Sequence, residues 1–506
     1  MGFVAACSCL LVWAAGALVA VCAWLWASRL RTAAQGPPPL PLIGNLLSFR
    51  KLPVLVGKLR ALQRAYGNVF RFYMGPKLFM VVTQPDDVQK ILTTSWQRER
   101  DPYFIRPLRV FVGEGLLTSK GDVWRNHRKI IEPTFHTEVL SRFVDSFNEG
   151  ARFTCEKLAA AAGAEVDVYG PLFHAALRTF TSTIVGIQLD ELEPDRLKQA
   201  EIADEVKDGL QTIQKRIFRP WMQMEWVVSM TPEGRAFRRQ IGLINGLVGQ
   251  IINMAKKKRN GTMLYKRSSL MDVLLDRRRD MEISEGEVHE EVCTFALAST
   301  ETTAAATGFT LSLLALHPVW QDAVHRELDE VFGTGEGRFR SSTAADIARL
   351  AVLDCVVKET LRLFPIVPNL PHLVSEDTPL DGGRCVAPRG ACVLVALSLL
   401  HRQPDSFPEP DRFDPGRFLK GGSSADRHPY SYLPFGTGSR KCVGGRFALL
   451  QMKTLLAAVL RRFHVLPGSS RQQLEEVALS ITGQPISGLR VAFVPRHTPS
   501  PAAART

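Results

Sequence analysis

The chain has 506 residues, of which 45% are hydrophobic and 22% are charged, and this composition excludes a disordered or collagen-like polymer. Its 63 basic and 50 acidic residues give a formal net charge of +13, which favours an acidic protein partner, an anionic membrane surface or nucleic acid. The basic runs are not interleaved with aromatic residues, so we predict no nucleic-acid binding. Nine dispersed cysteines without a Cys-x-x-Cys pair argue against a zinc cage and against a disulfide framework.

Residues 1–28 are predicted to form an amino-terminal membrane anchor. No charged residue occurs from Phe3 to Ala27, and about 25 helical residues at ~1.5 Å each span a ~30 Å hydrocarbon layer. The nearest cations, Arg29 and Arg31, follow this segment, which predicts a luminal amino terminus and a cytosolic body. The alternative, a cleaved signal peptide, would have a shorter apolar stretch with a basic residue before it.

The rest of the chain is predicted to be one large domain between two less ordered segments. Residues 29–48 contain the run Gly-Pro-Pro-Pro-Leu-Pro, in which fixed φ angles favour a semi-rigid hinge. Residues 49–497 contain no Gly/Ser linker and no fixed-period repeat. Residues 498–506 are predicted to be a flexible tail.

Patterning within the body is mostly helical, with a few strand-like runs. The runs 68–74 and 78–82 flank a Gly-Pro-Lys turn and predict a β-hairpin. Strand-like runs also occur at 391–399 and 489–493. We therefore predict a mainly α fold with a small β portion.

One predicted helix is unusually long. Ser284 and Glu287 form a capping box, and no proline follows until Pro318, so the helix would have about 33 residues and a length of ~50 Å. Its middle has few charges, and Glu301 is the exception. A carboxylate in the centre of a buried helix is costly unless it has a function, although a solvated residue on an outward face is the alternative.

A glycine-rich segment from Phe435 to Gly444 precedes another predicted helix, which runs from Gly445 to Leu460. Its glycines allow the backbone to approach a flat object closely. Cys442 lies where the helix begins, so free N–H groups and the helix dipole are expected to lower the pKa of its thiol. Such a thiolate can be a nucleophile, or it can bind iron.

This segment matches the haem-binding signature F-x-x-G-x-R-x-C-x-G at every fixed position, and the chain therefore resembles the cytochrome P-450 superfamily of haem-thiolate monooxygenases. The resemblance covers essentially the whole chain and implies the cytochrome P-450 fold. It implies that Cys442 is the axial thiolate ligand of haem b, where electron donation from sulfur favours O–O cleavage. Phe435, Gly436 and Gly444 would then border the haem, and Arg440 would pair with a propionate.

Two further segments occur in the order that the family has. Trp124 and Arg128 match its W-x-x-x-R helix, which implies that both contact a haem propionate. The segment from Ala298 resembles its oxygen-activating helix. That resemblance implies catalytic roles for Thr302, as the hydrogen-bonding group for oxygen or water, and for Glu301, as a proton relay.

A third set of residues is implied to be structural. Glu359 and Arg362 form a Glu-x-x-Arg pair on one helical face, which on a surface helix contributes only ~0.2–0.5 kcal/mol. The resemblance implies that Arg417 completes a buried triad with this pair. The triad would support the haem-binding loop.

Several stretches are most similar to the animal family 4 clan of fatty-acid and lipid hydroxylases, including 124–135, 358–365 and 428–435. Many relatives have Glu where Ala298 stands, and that Glu can form an ester with the haem. Alanine has no carboxylate, so no such link is possible here. His372 stands where arginine is common, which leaves that propionate contact weaker or pH-dependent.

The resemblance also makes nine apolar residues candidates for the substrate pocket. They are Phe104, Ile105, Leu108, Phe111, Val112, Val367, Pro368, Leu370 and Ile481. An apolar cavity binds fatty acids, terpenoids, hydrocarbons or foreign lipophiles alike, so these residues do not identify the substrate. Ordinary core residues would have the same composition.

The resemblance implies an enzyme of the endoplasmic reticulum membrane, with a cytosolic catalytic domain, that uses NADPH and O2 to hydroxylate a lipophilic substrate. Electrons would come from an NADPH-cytochrome reductase, with cytochrome b5 as a second donor. Candidate contacts for the reductase are Arg125, Lys129, Arg427, Lys441 and Lys453.

Two other functions remain open. One is a reductase-independent isomerase or dehydratase of oxygenated lipids, and the other is a non-catalytic haem sensor or carrier. The retained acid–threonine pair, Glu301 and Thr302, disfavours both.

Overall fold

The computed structural model describes residues 12–23, 32–40, 43–49, 55–93, 100–161, 163–193, 198, 201–202, 204–205, 208–209, 212, 224–261, 269–423, 426–478 and 482–496. Residues 12–23 are helical, and their apolar side chains are exposed. Within the described ranges no helix is both long and apolar enough to span a bilayer, so the structure does not support the predicted transmembrane helix. The predicted anchor continues at both ends into residues outside the described part of the chain.

Helices dominate the described chain, which confirms the prediction of a mainly α fold. The helices are α1 (Leu55–Tyr66), α2 (Pro85–Thr93), α3 (Pro102–Val112), α4 (Gly121–Ile131), α5 (Thr137–Leu140), α6 (Val144–Ala159), α7 (Tyr169–Phe180), α8 (Leu189–Leu192), α9 (Glu225–Met230), α10 (Pro232–Gly261), α11 (Leu270–Arg279), α12 (Glu285–Leu316), α13 (Pro318–Phe332), α14 (Ala344–Arg349), α15 (Ala351–Leu363), α16 (Leu397–Leu400), α17 (Gly445–Arg462) and α18 (Arg471–Glu475).

The strands form small sheets. They are β1 (Val69–Met74), β2 (Lys77–Val82), β3 (Val166–Asp167), β4 (Asn369–Leu373), β5 (Thr378–Leu380), β6 (Cys385–Ala387), β7 (Cys392–Ala396), β8 (Phe463–Pro467), β9 (Val477–Ala478), β10 (Gln484–Pro485) and β11 (Arg490–Pro495). One sheet has the order β1-β2-β7-β4, another has the order β3-β11-β8, and β5–β6 and β9–β10 are separate pairs. Strands β1 and β2 are antiparallel, with Met74 opposite Lys77, which confirms the predicted hairpin.

The predicted strand at 391–399 is only partly confirmed. Strand β7 ends at Ala396, and the chain then turns into α16. The segment that forms α16 consists of leucine and serine and lacks the β-branched residues of β7, so it has little strand preference. The turn brings His401 to α15, where its carbonyl oxygen accepts a hydrogen bond from Arg362.

Helix α12 confirms the predicted long helix. The Ser284 hydroxyl oxygen accepts a hydrogen bond from the Glu287 N–H, and the Glu287 carboxylate accepts one from the Ser284 N–H, so both halves of the capping box are present. The helix ends at Leu316, two residues before Pro318, and its 32 residues give a length of about 48 Å. It packs against α7 and α17 and is buried over most of its length, so it forms the centre of the main hydrophobic core.

Candidate active site

The glycine-rich loop folds back so that Cys442 stands immediately before α17. The Cys442 N–H donates a hydrogen bond to the Phe435 carbonyl oxygen at 2.9 Å, which closes the loop. Gly436 and Gly438 have φ angles of +68° and +73°, a region that side chains with a Cβ rarely adopt. A Cβ at Gly436 would meet only the Cα of Lys441, at 4.0 Å, so the glycine borders open space.

Two places inside the helical body have accessible surface, one at Cys442 and one on a face of α12. Cys442 is exposed, whereas the other described cysteines are buried or half-buried. On α12, Ala298 is exposed and Thr302 is half-buried, although their neighbours Leu297 and Glu301 are buried. Ala298 and Thr302 are four residues apart and share one helical face. Because α12 and α17 pack against each other, these surfaces indicate a cavity between the long helix and the cysteine loop.

The thiol of Cys442 does not have the low pKa that the sequence predicted. Burial among the surrounding protein raises the pKa of the Cys442 thiol, and a Gly444 backbone hydrogen bond and the charges of Arg128 and Arg100 only partly offset it. The sulfur is accessible from the cavity and still far from bulk water, so desolvation outweighs the helix dipole. The prediction of a lowered pKa is therefore wrong for the protein alone. Metal binding would deprotonate such a thiol outright.

Two of the predicted cofactor contacts hold the loop against α4. The Arg440 guanidinium lies 4.0 Å from the centre of the Trp124 ring and donates a hydrogen bond to the Ser119 carbonyl oxygen at 3.0 Å. Arg128 binds the Glu132 carboxylate through two nitrogens, at 3.1 and 2.9 Å, and donates to the Lys441 carbonyl oxygen at 3.0 Å. Arg128 therefore fixes the backbone beside the cysteine. Its contact with a haem propionate stays a prediction.

Arg100 is a site residue that sequence reasoning missed. It pairs through its backbone with His372, the residue that stands in place of an arginine, and its charge acts on the Cys442 thiol. Burial lowers the pKa of Arg100, and the interaction with Cys442 acts in the opposite direction. The available signal in the sequence was His372. Because histidine stands where an arginine is common, another arginine is needed to supply the positive charge.

These residues fit a haem. An accessible thiol supplies the axial ligand, and the cations Arg100, Arg128 and Arg440 suit the negative charge of two propionates. Glycines along the loop leave room for a flat macrocycle. The site therefore has the charge, the ligand and the space that a haem-thiolate centre needs.

The predicted catalytic pair has two different environments. The Thr302 hydroxyl donates a hydrogen bond to the Ala298 carbonyl oxygen at 2.7 Å, so its oxygen can still accept one from the cavity. The Glu301 carboxylate is buried and accepts hydrogen bonds from the Thr482 hydroxyl at 2.5 Å and from the Gln484 amide at 3.1 Å. Burial, followed by the charge of Glu301, raises the pKa of Tyr169. Glu301 is therefore not solvated, and its carboxylate is held by Thr482 and by Gln484, the first residue of β10.

The structure brings the three residues of the predicted triad together. Arg362 and Glu359 are fully buried and form two hydrogen bonds at 2.6 and 2.8 Å. The Arg417 Nε lies 3.5 Å from a Glu359 oxygen. The remaining Arg362 donors bind the carbonyl oxygens of His401, Pro410 and Arg412, at 3.0, 2.7 and 3.0 Å. All five N–H donors of Arg362 are therefore used.

His401 links this cluster to the cysteine loop, and sequence reasoning did not identify it. Burial, followed by the charge of Arg362, lowers the pKa of His401 to about 3, so its imidazole is neutral at physiological pH. A neutral ring nitrogen can accept a hydrogen bond, and His401 Nε2 accepts one from the Leu433 N–H at 2.8 Å. Leu433 lies two residues before Phe435. The buried triad thereby supports the start of the loop.

A second buried charged cluster joins α4 to α12. His127 Nδ1 lies 2.6 Å from Glu291 Oε1, and His127 Nε2 lies 3.0 Å from Glu287 Oε1. Burial alone would lower the pKa of His127, but the hydrogen bonds and charges of both glutamates outweigh it and raise the pKa. Burial also raises the pKa of Glu291, and the interaction with His127 only partly offsets it. This cluster therefore links α4, which contains Trp124, to α12, which contains Thr302.

We expect the His127 cluster to make stability depend on pH. A raised pKa means that the folded state keeps a proton that the unfolded state loses near pH ~6.5, so the stabilisation is present below that pH and is lost as pH rises through the folded pKa. Unfolding of the wild type should therefore become easier as the pH rises above about 6.5. His127→Gln should remove most of this slope, whereas the same change at the exposed His136 should not. Equal slopes in all three proteins would contradict the assignment.

The predicted substrate residues lie in several places. Ile105, Leu108, Phe111 and Val112 of α3 are at most 5% exposed and belong to the main core. Phe104 packs against an aromatic cluster with Phe79 and Tyr103, and Leu370 packs on the β-sheet core. Val367 is half-buried, and Pro368 borders a separate cavity. Ile481 lies outside the described residues.

The fold and the cysteine loop define a haem-thiolate protein. The family model for cytochrome P450 matches residues 34–489, and the chain belongs to this family. Cytochrome P450 4c3 of Drosophila melanogaster is 30% identical over 487 residues, which cover 91% of this chain and 89% of the fly protein. Cytochrome P450 4V2 is 32% identical over 450 residues in Mus musculus, covering 86% and 83%, and 32% identical over 426 residues in Homo sapiens, covering 81% and 79%.

These relatives confirm the resemblance to family 4. Family membership indicates a monooxygenase oxidoreductase with a cysteine-ligated haem. Electrons for such enzymes normally come from NAD(P)H through a reductase.

Proposed function

We propose that the protein uses NADPH and O2 to hydroxylate a lipophilic substrate, such as a fatty acid, a terpenoid, a hydrocarbon or a foreign lipophile. The observation that carries the proposal is the accessible surface on two packed elements, at Ala298 and Thr302 of α12 and at Cys442, immediately before α17. Bound haem supplies the iron that binds and activates oxygen. The Cys442 sulfur is its ligand, and Arg100, Arg128 and Arg440 supply the positive charge that its propionates need.

The roles of the remaining residues follow from their hydrogen bonds. The Thr302 oxygen is a hydrogen-bond acceptor towards the cavity, because its own proton is donated to the Ala298 carbonyl. Glu301 stores or releases a proton at its carboxylate, and Thr482 and Gln484 hold that carboxylate in place. Ala298 has no acidic group, so the haem stays without an ester link at this position. The absence of that link supports a broader choice of oxidised carbon.

We also propose a membrane location and a reductase contact. The uncharged segment from Phe3 to Ala27 supports an anchor in the endoplasmic reticulum membrane with a cytosolic catalytic domain. Arg125 and Lys129 of α4 and Lys441 of the cysteine loop are exposed, so they can meet an acidic reductase or cytochrome b5. Lys453 is a weaker candidate, because it is mostly buried and pairs with Asp354 at 3.0 Å.

The test is a panel of lipophiles added to the haem-loaded protein. A true substrate should shift the Soret spectrum on binding, and NADPH with a reductase should then give a product that contains one oxygen atom from O2. Conversion of a lipid hydroperoxide without NADPH would instead favour the isomerase or dehydratase. Spectral binding without turnover of any ligand would favour the sensor or carrier.

A further inference from the structure

A cavity of about 160 Å³ lies between α1, the end of α15 and α18. Its lining includes the apolar residues Phe309, Leu363 and Phe364 and the polar residues Ser398 and Arg402. Among the predicted substrate residues that the structure describes, only Pro368 borders it, and Cys442 and Thr302 do not. The cavity is therefore distinct from the site at the cysteine loop.

Two polar groups of this cavity are buried without a full set of partners. The Arg402 side chain is 7% exposed, with Nε 3.3 Å from Asp411 and Nη2 3.7 Å from Glu475, and neither nitrogen makes a hydrogen bond within the described residues. The Ser398 residue is 2% exposed, and its hydroxyl also lacks a hydrogen-bond partner there. A buried donor without an acceptor is unfavourable, so both groups favour a ligand that supplies oxygen atoms.

Arg402 shares both of its carboxylate neighbours with other arginines. Asp411 already binds Arg60 at 3.1 Å, and Glu475 binds Arg471 at 3.1 Å. Three guanidinium groups thus share two carboxylates. Burial and then the charge of Arg60 lower the pKa of Arg402 to about 9, and the charges of Glu475 and Asp411 only partly offset this.

We propose that this cavity binds the carboxylate of a short aliphatic acid. The carboxylate accepts hydrogen bonds from Arg402 and Ser398, and the hydrocarbon chain contacts Phe309, Leu363 and Phe364. A planar carboxylate suits two adjacent guanidinium nitrogens better than a spherical ion does. Glu476, which also borders the cavity, opposes the anion and limits its affinity. The proposal does not depend on the oxygenase reaction.

The test uses the full-length haem-loaded protein with its active site filled by an azole that binds the iron, so that any further acid must bind elsewhere. Hexanoate is titrated by calorimetry, with 1-hexanol as the uncharged comparison. We expect one saturable site for hexanoate and at least about tenfold weaker binding of 1-hexanol. Absence of a saturable site, or equal binding of the alcohol, would overturn the proposal.

Three substitutions locate the site. Arg402→Met should weaken hexanoate at least about tenfold, and the fold should survive because Asp411 and Glu475 keep their other arginines. Gly57→Leu adds a side chain at the cavity lining and should abolish binding. The substitution should not weaken α1, because leucine has a higher helix propensity than glycine. Glu476→Gln should strengthen binding, whereas Arg389→Met, an exposed arginine elsewhere, should change nothing.

If Arg402→Met does not fold, Gly57→Leu and Glu476→Gln still show whether hexanoate binds in this cavity. Hexanoate binding that stays the same in Gly57→Leu and in Glu476→Gln would place the acid outside this cavity and would overturn the proposal.

Discussion

Replacing Glu359 with glutamine should lower the free energy of unfolding by about 3–5 kcal/mol, because the substitution leaves a buried guanidinium without its counter-ion. Arg362 is fully buried, and two of its five donors bind the Glu359 carboxylate. Glu359 also accepts a hydrogen bond from the Asp414 N–H at 2.8 Å, so the change weakens the segment before Arg417. Glutamine keeps the volume and one acceptor, which isolates the effect of charge.

The measurement is chemical denaturation of the haem-loaded protein, followed by circular dichroism at equal haem content. Asp122→Asn is the matched control, since Asp122 and Arg125 also form a pair at i, i+3 but are 94% and 59% exposed. That control should lose less than about 1 kcal/mol. Equal losses in the two variants would show that burial of the Glu359 pair has no energetic consequence.

Replacing Thr302 with valine should lower product formation by about 100-fold or more, the lower limit expected for loss of a group that positions protons. The Thr302 oxygen is the acceptor that α12 presents to the cavity, and valine removes it with little change in volume. Without the Thr302 oxygen, no hydroxyl at this position would direct protons to the reacting centre. A larger share of the NADPH consumed should appear as hydrogen peroxide.

Thr300→Val is the control on the same helix. Thr300 donates an equivalent hydrogen bond to the Ala296 carbonyl oxygen at 2.7 Å but is buried away from the cavity. Peroxide released per NADPH should rise in Thr302→Val and stay near the wild-type value in Thr300→Val and in Thr302→Ser. The same ratio in the two valine variants would remove Thr302 from the proton pathway.

The parts of this protein that follow from contiguous residues were predictable. The β1–β2 hairpin, the capping box at Ser284 and the loop before α17 each depend on a short run of sequence, where turn residues and helix caps act locally. The triad followed from family resemblance, because no local pattern relates Glu359 to Arg417. The end of β7 was missed because the predicted strand was extended into the Leu-Ser run of α16, which lacks the β-branched residues of β7.

Contacts between distant segments account for what the sequence did not show. His401 reaches Leu433, and Thr482 reaches Glu301 across 181 positions, and neither pairing leaves a periodic signal in the chain. The pKa of the Cys442 thiol was predicted in the wrong direction for the same reason. The helix start is visible in the sequence, but the protein packed around the sulfur is not.

The most direct test of the account is the absorption spectrum of the reduced protein in carbon monoxide. Coordination of haem iron by the Cys442 sulfur predicts the red-shifted Soret band that an axial thiolate produces, and Cys442→Ala should abolish this band at equal haem content. The six other described cysteines are buried or half-buried and should not substitute for it. A wild-type protein without the band, or a Cys442→Ala protein that keeps it, would contradict the assignment of the site.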